Sequence, residues 1–280
     1  MTILILILVF SAATAALLSW AFGPCEALWW FILRIPLLFC AAFVAWTVLY
    51  ILTLFVVAQC VNTNKPVKKA HHGFRWVLTE TAQFLLLIGL VRIHAEGLER
   101  VDRSKPFLLV ANHRSNFDPF VALTLFKGTE ILYICKPSIF KMPVAGGIAH
   151  MSGFLSINRE DNREGLKTIL RAVEILKDEQ TAVAVYPEGT RNKADAPLLP
   201  FRAGAFAMAK RGKCPIVVAF TEHTGDVARR YLRKPTVVNF TVLDVLPYEQ
   251  IKDMQTDAIS ETVRKRMEIY MNRQERSSVS

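Results

Sequence analysis

The sequence predicts an α/β domain with a mixed, largely parallel sheet flanked by helices and preceded by N-terminal transmembrane helices. Three observations carry this reading. The first sixty residues are apolar and almost uncharged. From residue 92 onward, short apolar runs alternate with helical patterns. Several of those runs end in loops that carry His, Asp, Glu and Arg. Strands alternating with helices indicate a sheet whose strands are joined by crossover helices. In such sheets the strand ends, and the helix starts after them, hold the reactive groups.

Residues 3–22, ILILILVFSAATAALLSWAF, are long enough to cross the apolar part of a bilayer. A cleavable secretion signal is the competing reading, but no Lys or Arg precedes the apolar stretch. Residues 35–58, IPLLFCAAFVAWTVLYILTLFVVA, contain no charge and form the clearest span. Trp29 and Trp30 precede it at the place of interfacial aromatics. Lys65, Lys68, Lys69 and Arg75 follow it, and by the positive-inside rule they place the rest of the chain in the cytoplasm. Residues 73–91 are apolar but interrupted by Arg75 and Glu80. They fit either a helix at the membrane surface or a core helix of the soluble part. The expected organisation is two transmembrane helices in 1–60, a basic linker and membrane-associated helix in 61–91, and an α/β domain in 92–280.

Within that domain, strands are expected at Phe107–Ala111, Ile131–Cys135, Phe154–Ile157, Thr181–Tyr186, Ile216–Phe220 and Val237–Val245. Asp118-Pro119 has the form of a helix start, an N-cap followed by proline. Leu166, Ile169, Leu170, Val173 and Leu176 recur at helical spacing, as do Ile259, Val263, Met267, Tyr270 and Met271.

Lys and Arg outnumber Asp and Glu by 34 to 24, and only Glu26 and Arg34 are charged before Lys65. The net charge of +10 therefore lies after the apolar region and points to anionic lipid head groups as the partner. The basic residues are not interleaved with aromatics in a stacking pattern, which argues against nucleic acid. Five cysteines without a Cys-x-x-Cys pair argue against a disulfide framework or a zinc site. There is no Gly-x-Ser-x-Gly elbow, no His-Glu-x-x-His and no Walker loop.

Three clusters carry chemistry. His113 and Asp118 stand four residues apart between the first strand of the domain and a helix start. A carboxylate beside a histidine fixes the ring tautomer and steadies the imidazolium, so the pair can act as a general base. Asp118 capping the helix is the plainer alternative. Tyr186-Pro187-Glu188-Gly189-Thr190-Arg191 follows another apolar strand. Gly189 permits a tight turn, Arg191 can grip a phosphate with two donors, and Glu188 can orient a basic neighbour or a hydroxyl. An ordinary turn with a salt bridge is the alternative. Arg159 ends the strand of Gly153–Ile157, where it either meets an anion or pairs with Glu160 or Asp161. Lys136 and Lys141 are further cationic candidates for the same anionic site.

Together these blocks resemble the glycerolipid acyltransferase family, in particular the 1-acylglycerol-3-phosphate acyltransferases. The Asn-His-x4-Asp-Pro block is matched by Asn112, His113, Asp118 and Pro119. The second block, ending in arginine, is matched by Gly153, Ile157 and Arg159, with Ser156 and Asn158 at positions usually aromatic and acidic. The aromatic-Pro-Glu-Gly-Thr-Arg block is complete from Tyr186 to Arg191. Pro215-Ile216-Val217-Val218 resembles the fourth block without its second proline. Lys136–Gly146 and Pro200–Ala205 resemble the intervening stretches, and the likeness extends over about residues 90 to 245.

The resemblance implies transfer of an acyl group from a thioester of coenzyme A or acyl carrier protein to the sn-2 hydroxyl of lysophosphatidic acid at the membrane. It implies no metal and no resident cofactor. His113 would be the base and Asp118 its partner, with Arg159, Glu188, Gly189, Thr190 and Arg191 holding the phosphate and glycerol. Other acceptors within the family, a membrane hydrolase and a non-catalytic lipid-binding adaptor are the alternatives.

Overall fold

The computed structural model describes residues 1–22, 28–63, 65, 67, 70–158, 161–178, 181–193 and 197–279. Lys68, Lys69 and Arg159 lie outside the described residues, as do the side chains of Trp29 and Trp30.

Helices α1 (Thr2–Ala21) and α2 (Leu28–Gln59) pack as an antiparallel hairpin. The buried positions of α1 are Ile3, Ile7, Ser11, Ala15 and Ser19, one per turn. Small residues at three of these five let the helices approach closely, the usual device where lipid removes any hydrophobic drive between helices. Trp46 stacks on Phe10 and donates from Nε1 to Thr14 Oγ1 at 3.1 Å. Both helices are long and apolar enough to cross a membrane, yet only 28% and 11% of their apolar windows are buried. A core helix would be mostly covered by protein, so this exposure favours a lipid-facing hairpin.

The hairpin is docked on the α/β domain. Helix α3 (His72–Ile88) buries Glu80, Ala82, Phe84 and Leu86, and Phe84 packs with Ile3 and Ile7. Tyr50 shares a 2.6 Å hydrogen bond with Thr81. Residues 73–91 were open between a surface helix and a core helix. One side of α3 is packed against α1, α4 (Asp118–Leu125) and α5 (Ala145–Met151), while Trp76 and Leu87 remain exposed. At Gly147 of α5 a Cβ would stand 2.6 Å from the Ala58 carbonyl oxygen of α2, so the two backbones touch.

The sheet has seven strands in the order β1-β7-β6-β2-β5-β3-β4. They are β1 (Val91–Glu96), β2 (Leu108–Ala111), β3 (Ile131–Cys135), β4 (Leu155–Ser156), β5 (Ala182–Val185), β6 (Ile216–Glu222) and β7 (Thr236–Leu246). Strands β6, β2, β5, β3 and β4 run parallel. β7 pairs antiparallel with β6, and β1 runs with β7. Every residue of β2 and β5 is buried, as expected where both faces are covered. Alternate residues feed two cores. Leu108, Val110, Leu132, Val183 and Ile216 face α6 (Asn162–Asp178), α7 (Ala207–Gly212) and α10 (Thr256–Val279). Leu109, Ala111, Tyr133, Ala184 and Val217 face the α3–α4 side.

The mixed, largely parallel sheet agrees with the sequence reading. Strand β1 was not foreseen: Arg92, His94 and Glu96 break its apolar run, as suits an edge strand. The short helices α5, α7, α8 (Thr224–Arg230) and α9 (Tyr248–Ile251) were also not foreseen. The helix at Asp118 begins one residue earlier than expected. Phe117 is its N-cap, and Asp118 lies inside the first turn with its carboxylate turned back onto the preceding loop.

Glu80, 1% exposed, joins hairpin and domain. It accepts from Ile3 N–H at 3.2 Å and from Lys127 Nζ at 2.6 Å. Burial works to raise its pKa, but the Lys127 hydrogen bond and the Met1 ammonium outweigh it and hold the carboxyl at about 2, below its ordinary 4.5. A depressed carboxyl stabilises the fold above its unfolded pKa, and that contribution is lost as pH falls toward 2. Melting temperatures in detergent are expected to fall between pH 5 and 3 more steeply for the parent than for Glu80→Gln, which lacks this titration.

Candidate active site

The site lies where β2 and β5 end. Strand β2 delivers Asn112 and His113, and β5 delivers Tyr186 to Arg191 beside them, because β2 and β5 are paired neighbours. Asn112 is 1% exposed and extends the ladder with its side chain: Oδ1 accepts from Thr221 N–H at 2.7 Å, and Nδ2 donates to Thr221 O at 2.9 Å. This side chain fixes where the backbone leaves the sheet, immediately before His113.

His113 Nδ1 lies 2.7 Å from Asp118 Oδ2. The same oxygen accepts from the Arg114 and Ser115 N–H groups at 2.7 and 2.8 Å. Because Asp118 accepts, Nδ1 carries the proton, and the Nε2 lone pair has no hydrogen-bond partner among the described residues. Asp118 is buried, whereas His113 keeps a 17% exposed ring. The pair thus has the form of a base oriented by a carboxylate, and Asp118 is not a simple helix cap.

The loop after β5 holds the backbone of His113 from both sides. Glu188 Oε1 accepts from His113 N–H at 2.8 Å, and Asn192 N–H donates to His113 O at 2.7 Å. Glu188 Oε2 accepts from Leu199 N–H at 3.0 Å. Both oxygens of this buried carboxylate are therefore engaged by backbone, which makes Glu188 a clamp between two loops. Burial pushes its pKa up, opposed by those two hydrogen bonds. Gly189 has φ +71°, a conformation glycine adopts without strain, and it closes the turn by donating to Tyr186 O at 2.9 Å. Thr190 and Arg191 follow at the surface, exposed.

The Tyr186 ring stacks on His113 with centroids 4.1 Å apart and planes 10° from parallel, and Tyr133 stacks behind it at 5.9 Å. Burial drives both phenols above the usual range, and the Asp118 charge adds in the same direction. The stack restrains the imidazole ring, a role that residue spacing did not reveal. Burial pushes the Cys214 thiol up to about 12, which keeps it protonated and inert.

Beside Tyr186 and Gly189 lies a cavity of about 390 Å³, walled by Ile134, Ile157, Ile169, Val185 and Met208. Arg202 lines it and is exposed, a second arginine near the third block that the sequence reading left without a role. The only signal for it was the Pro200–Ala205 stretch. Lys136 is exposed at the end of β3, and Lys141 lines a different cavity. The structure therefore brings together His113, Asp118, Glu188, Gly189, Thr190 and Arg191, and it sets Lys141 apart from them.

A half-buried histidine oriented by a buried carboxylate at the strand ends of an α/β domain, with two long apolar helices before it and an apolar cavity beside the Tyr186–Gly189 turn, is an arrangement suited to group transfer. The Acyltransferase family model matches residues 92–220, and the chain belongs to the acyltransferase family. The 1-acyl-sn-glycerol-3-phosphate acyltransferase of Saccharomyces cerevisiae is 29% identical over 63% of this chain and 62% of its own length. The Caenorhabditis elegans relative acl-1, provisionally named for the same activity, is 30% identical over 64% of this chain and 68% of its own. The chain thus spans less than two thirds of the yeast relative. The fold is similar to the crystal structure of the 1-acyl-sn-glycerophosphate (LPA) acyltransferase PlsC from Thermotoga maritima. That match has a TM-score of 0.55 and 18% identity, and covers 80% of this chain and 97% of that one.

Asn112→Ala removes both bonds to Thr221 and leaves a buried N–H unpaired, a loss of about 1–3 kcal/mol. Denaturant unfolding is expected to show that loss, together with a lower turnover even where the protein is fully folded.

Proposed function

We propose that this protein transfers a fatty acyl group from an acyl thioester to the sn-2 hydroxyl of 1-acylglycerol 3-phosphate, giving phosphatidic acid. The observation that carries the reading is the His113–Asp118 contact, on a ring that stacks on Tyr186, a residue that also lines the apolar cavity. The names of the yeast and nematode relatives support the same acceptor.

His113 Nε2 takes the proton of the acceptor hydroxyl as its oxygen attacks the thioester carbonyl carbon. Asp118 holds the ring and steadies the imidazolium. The tetrahedral intermediate collapses with cleavage of the C–S bond, and the departing thiolate takes the proton back from His113. Atoms and charge balance without a covalent enzyme intermediate. Base catalysis of this kind contributes about 10²- to 10⁴-fold. Arg191, with Thr190, Gly189 and Arg159, binds the phosphate and glycerol. Lys136 is a second cation for that group, and Glu188 holds the loop that presents them. Coenzyme A or acyl carrier protein supplies the thioester.

The cavity beside Tyr186 receives an acyl chain. Gly165 and Gly204 line it, and neither glycine is required by the backbone: a Cβ would meet its first neighbour at 3.6 Å and 4.0 Å respectively. Glycine in helical turns lowers stability by about 1 kcal/mol relative to alanine. Space for a ligand explains its presence at both positions. The hairpin keeps the site at the bilayer, where both lipids reside. Extracting a chain into water would cost about 0.8 kcal/mol per CH₂. The basic residues after α2 support a cytoplasmic position for the domain.

His113→Ala should abolish phosphatidic acid formation by purified protein supplied with lysophosphatidic acid and either thioester. Arg191→Ala should chiefly raise KM for phosphate-bearing acceptors. Full activity in His113→Ala, or burst kinetics with a trapped acyl-protein, would overturn the mechanism. A panel of other lysophospholipids, glycerol 3-phosphate and amino-lipids tests the acceptor. Gly204→Leu is expected to leave the fold intact and shift selection toward shorter acyl thioesters, read from relative kcat/KM across a chain-length series.

A further inference from the structure

A second cavity, of about 410 Å³, continues the first along the α6 side of the sheet. Leu132 of β3 and Leu155 of β4 line it, whereas Ile134 and Ile157, two residues further along, line the first. On α6 the succession is likewise Ile169, then Arg171 and Ile175. Neither His113 nor any residue of Tyr186–Arg191 lines the second cavity.

Its lining has two kinds of surface. Leu132, Phe140, Phe154, Leu155 and Ile175 give it apolar walls, while Arg75, Lys141 and Arg171 supply cationic groups. Among the described residues no Asp or Glu lines it. The nearby carboxylates Glu130 and Glu174 hold Arg75 and Arg171 without reaching the cavity wall. Arg75 is further fixed by donating from Nε to Ser152 O at 2.9 Å, and its side chain is 11% exposed. Lys141 is exposed, with no ion pair among the described residues.

Described residues that follow α2 also reach the cavity. Thr63, Val67 and Ala70 line it, and His150 Nε2 donates to Lys65 O at 2.8 Å. Ala70 lies so close to Gly153 that a Cβ there would stand 2.6 Å from the Ala70 Cβ. Gln59, the last residue of α2, donates from Nε2 to Pro143 O at 2.9 Å, so the end of α2 is tied to the loop between Lys141 and α5. An occupant with an apolar part and an anionic part can therefore come from the bilayer surface.

We infer that this cavity binds the phosphate head group and adjoining chain of an anionic membrane phospholipid, at a site separate from the acylation site. Apolar walls suit the chain, and the cationic groups beside the linker suit the phosphate. Free phosphate shares the head-group chemistry but has no use for the apolar walls.

The test uses the full chain in phosphatidylcholine nanodiscs with fluorescent phosphatidylglycerol as the probe. Lys141→Glu and Arg171→Glu are each expected to weaken binding by about thirtyfold, the effect of reversing one charge, a change of two units, near a membrane surface. Lys265→Glu on α10 controls for general surface charge and should leave binding unchanged. Arg191→Ala controls for the acylation site and should do the same. Inorganic phosphate should not displace the lipid. The inference is overturned if the cavity variants bind like the parent, if Lys265→Glu or Arg191→Ala weakens binding equally, or if inorganic phosphate displaces the probe. Since the readout is binding, the His113→Ala protein should give the same result, so failure here is distinct from failure of the acyl-transfer proposal.

Discussion

The site depends on one buried carboxylate. Glu188 joins the backbone of His113 to that of Leu199, and so ties the loop after β2 to the loop after β5. A buried carboxylate is costly unless its lone pairs are occupied, and here both oxygens are. With Asn192 holding the carbonyl of the same residue, His113 is fixed at its own peptide groups before its side chain makes any contact. The imidazole is then restrained twice more, at Nδ1 by Asp118 and across its face by Tyr186. An imidazole held in this way has one nitrogen left to act as the proposed base, Nε2.

The parallel sheet makes this arrangement available. Strands β2 and β5 are neighbours running in the same direction, so their C-terminal loops meet although 75 residues separate His113 from Glu188. Their burial on both faces leaves the strand ends as the natural places for polar groups. On the proposed reaction, glycerolipid substrates add a second demand, because their apolar parts stay in the bilayer. The apolar hairpin, docked on α3 and α5, would hold the domain close to them.

Much of this was legible in the residues. The apolar runs located six of the seven strands, because a strand buried on both faces must be apolar throughout. The His113–Asp118 pair was legible because its members lie close in sequence. What was not legible depended on distance along the chain. The bond from Asn112 to Thr221 spans 109 residues, and the Tyr186 stack joins two separate blocks. Glu188 looked like a substrate contact because acidic residues in loops after strands often are. Only its partners identify it as a clamp. Strand β1 was hidden because an edge strand tolerates charge on its open side.

The contact of Gly147 with Ala58 has a mechanical consequence. Backbone against backbone leaves no side chain to flex between α2 and the domain. In a bilayer, a hairpin joined in this way would act as a lever. When a bilayer thickens or thins, a helix of fixed length responds by tilting, and here the tilt would carry the domain with it. Membrane thickness would then set the angle at which the strand ends meet the lipid head groups, and lipid composition would act on the site through geometry alone.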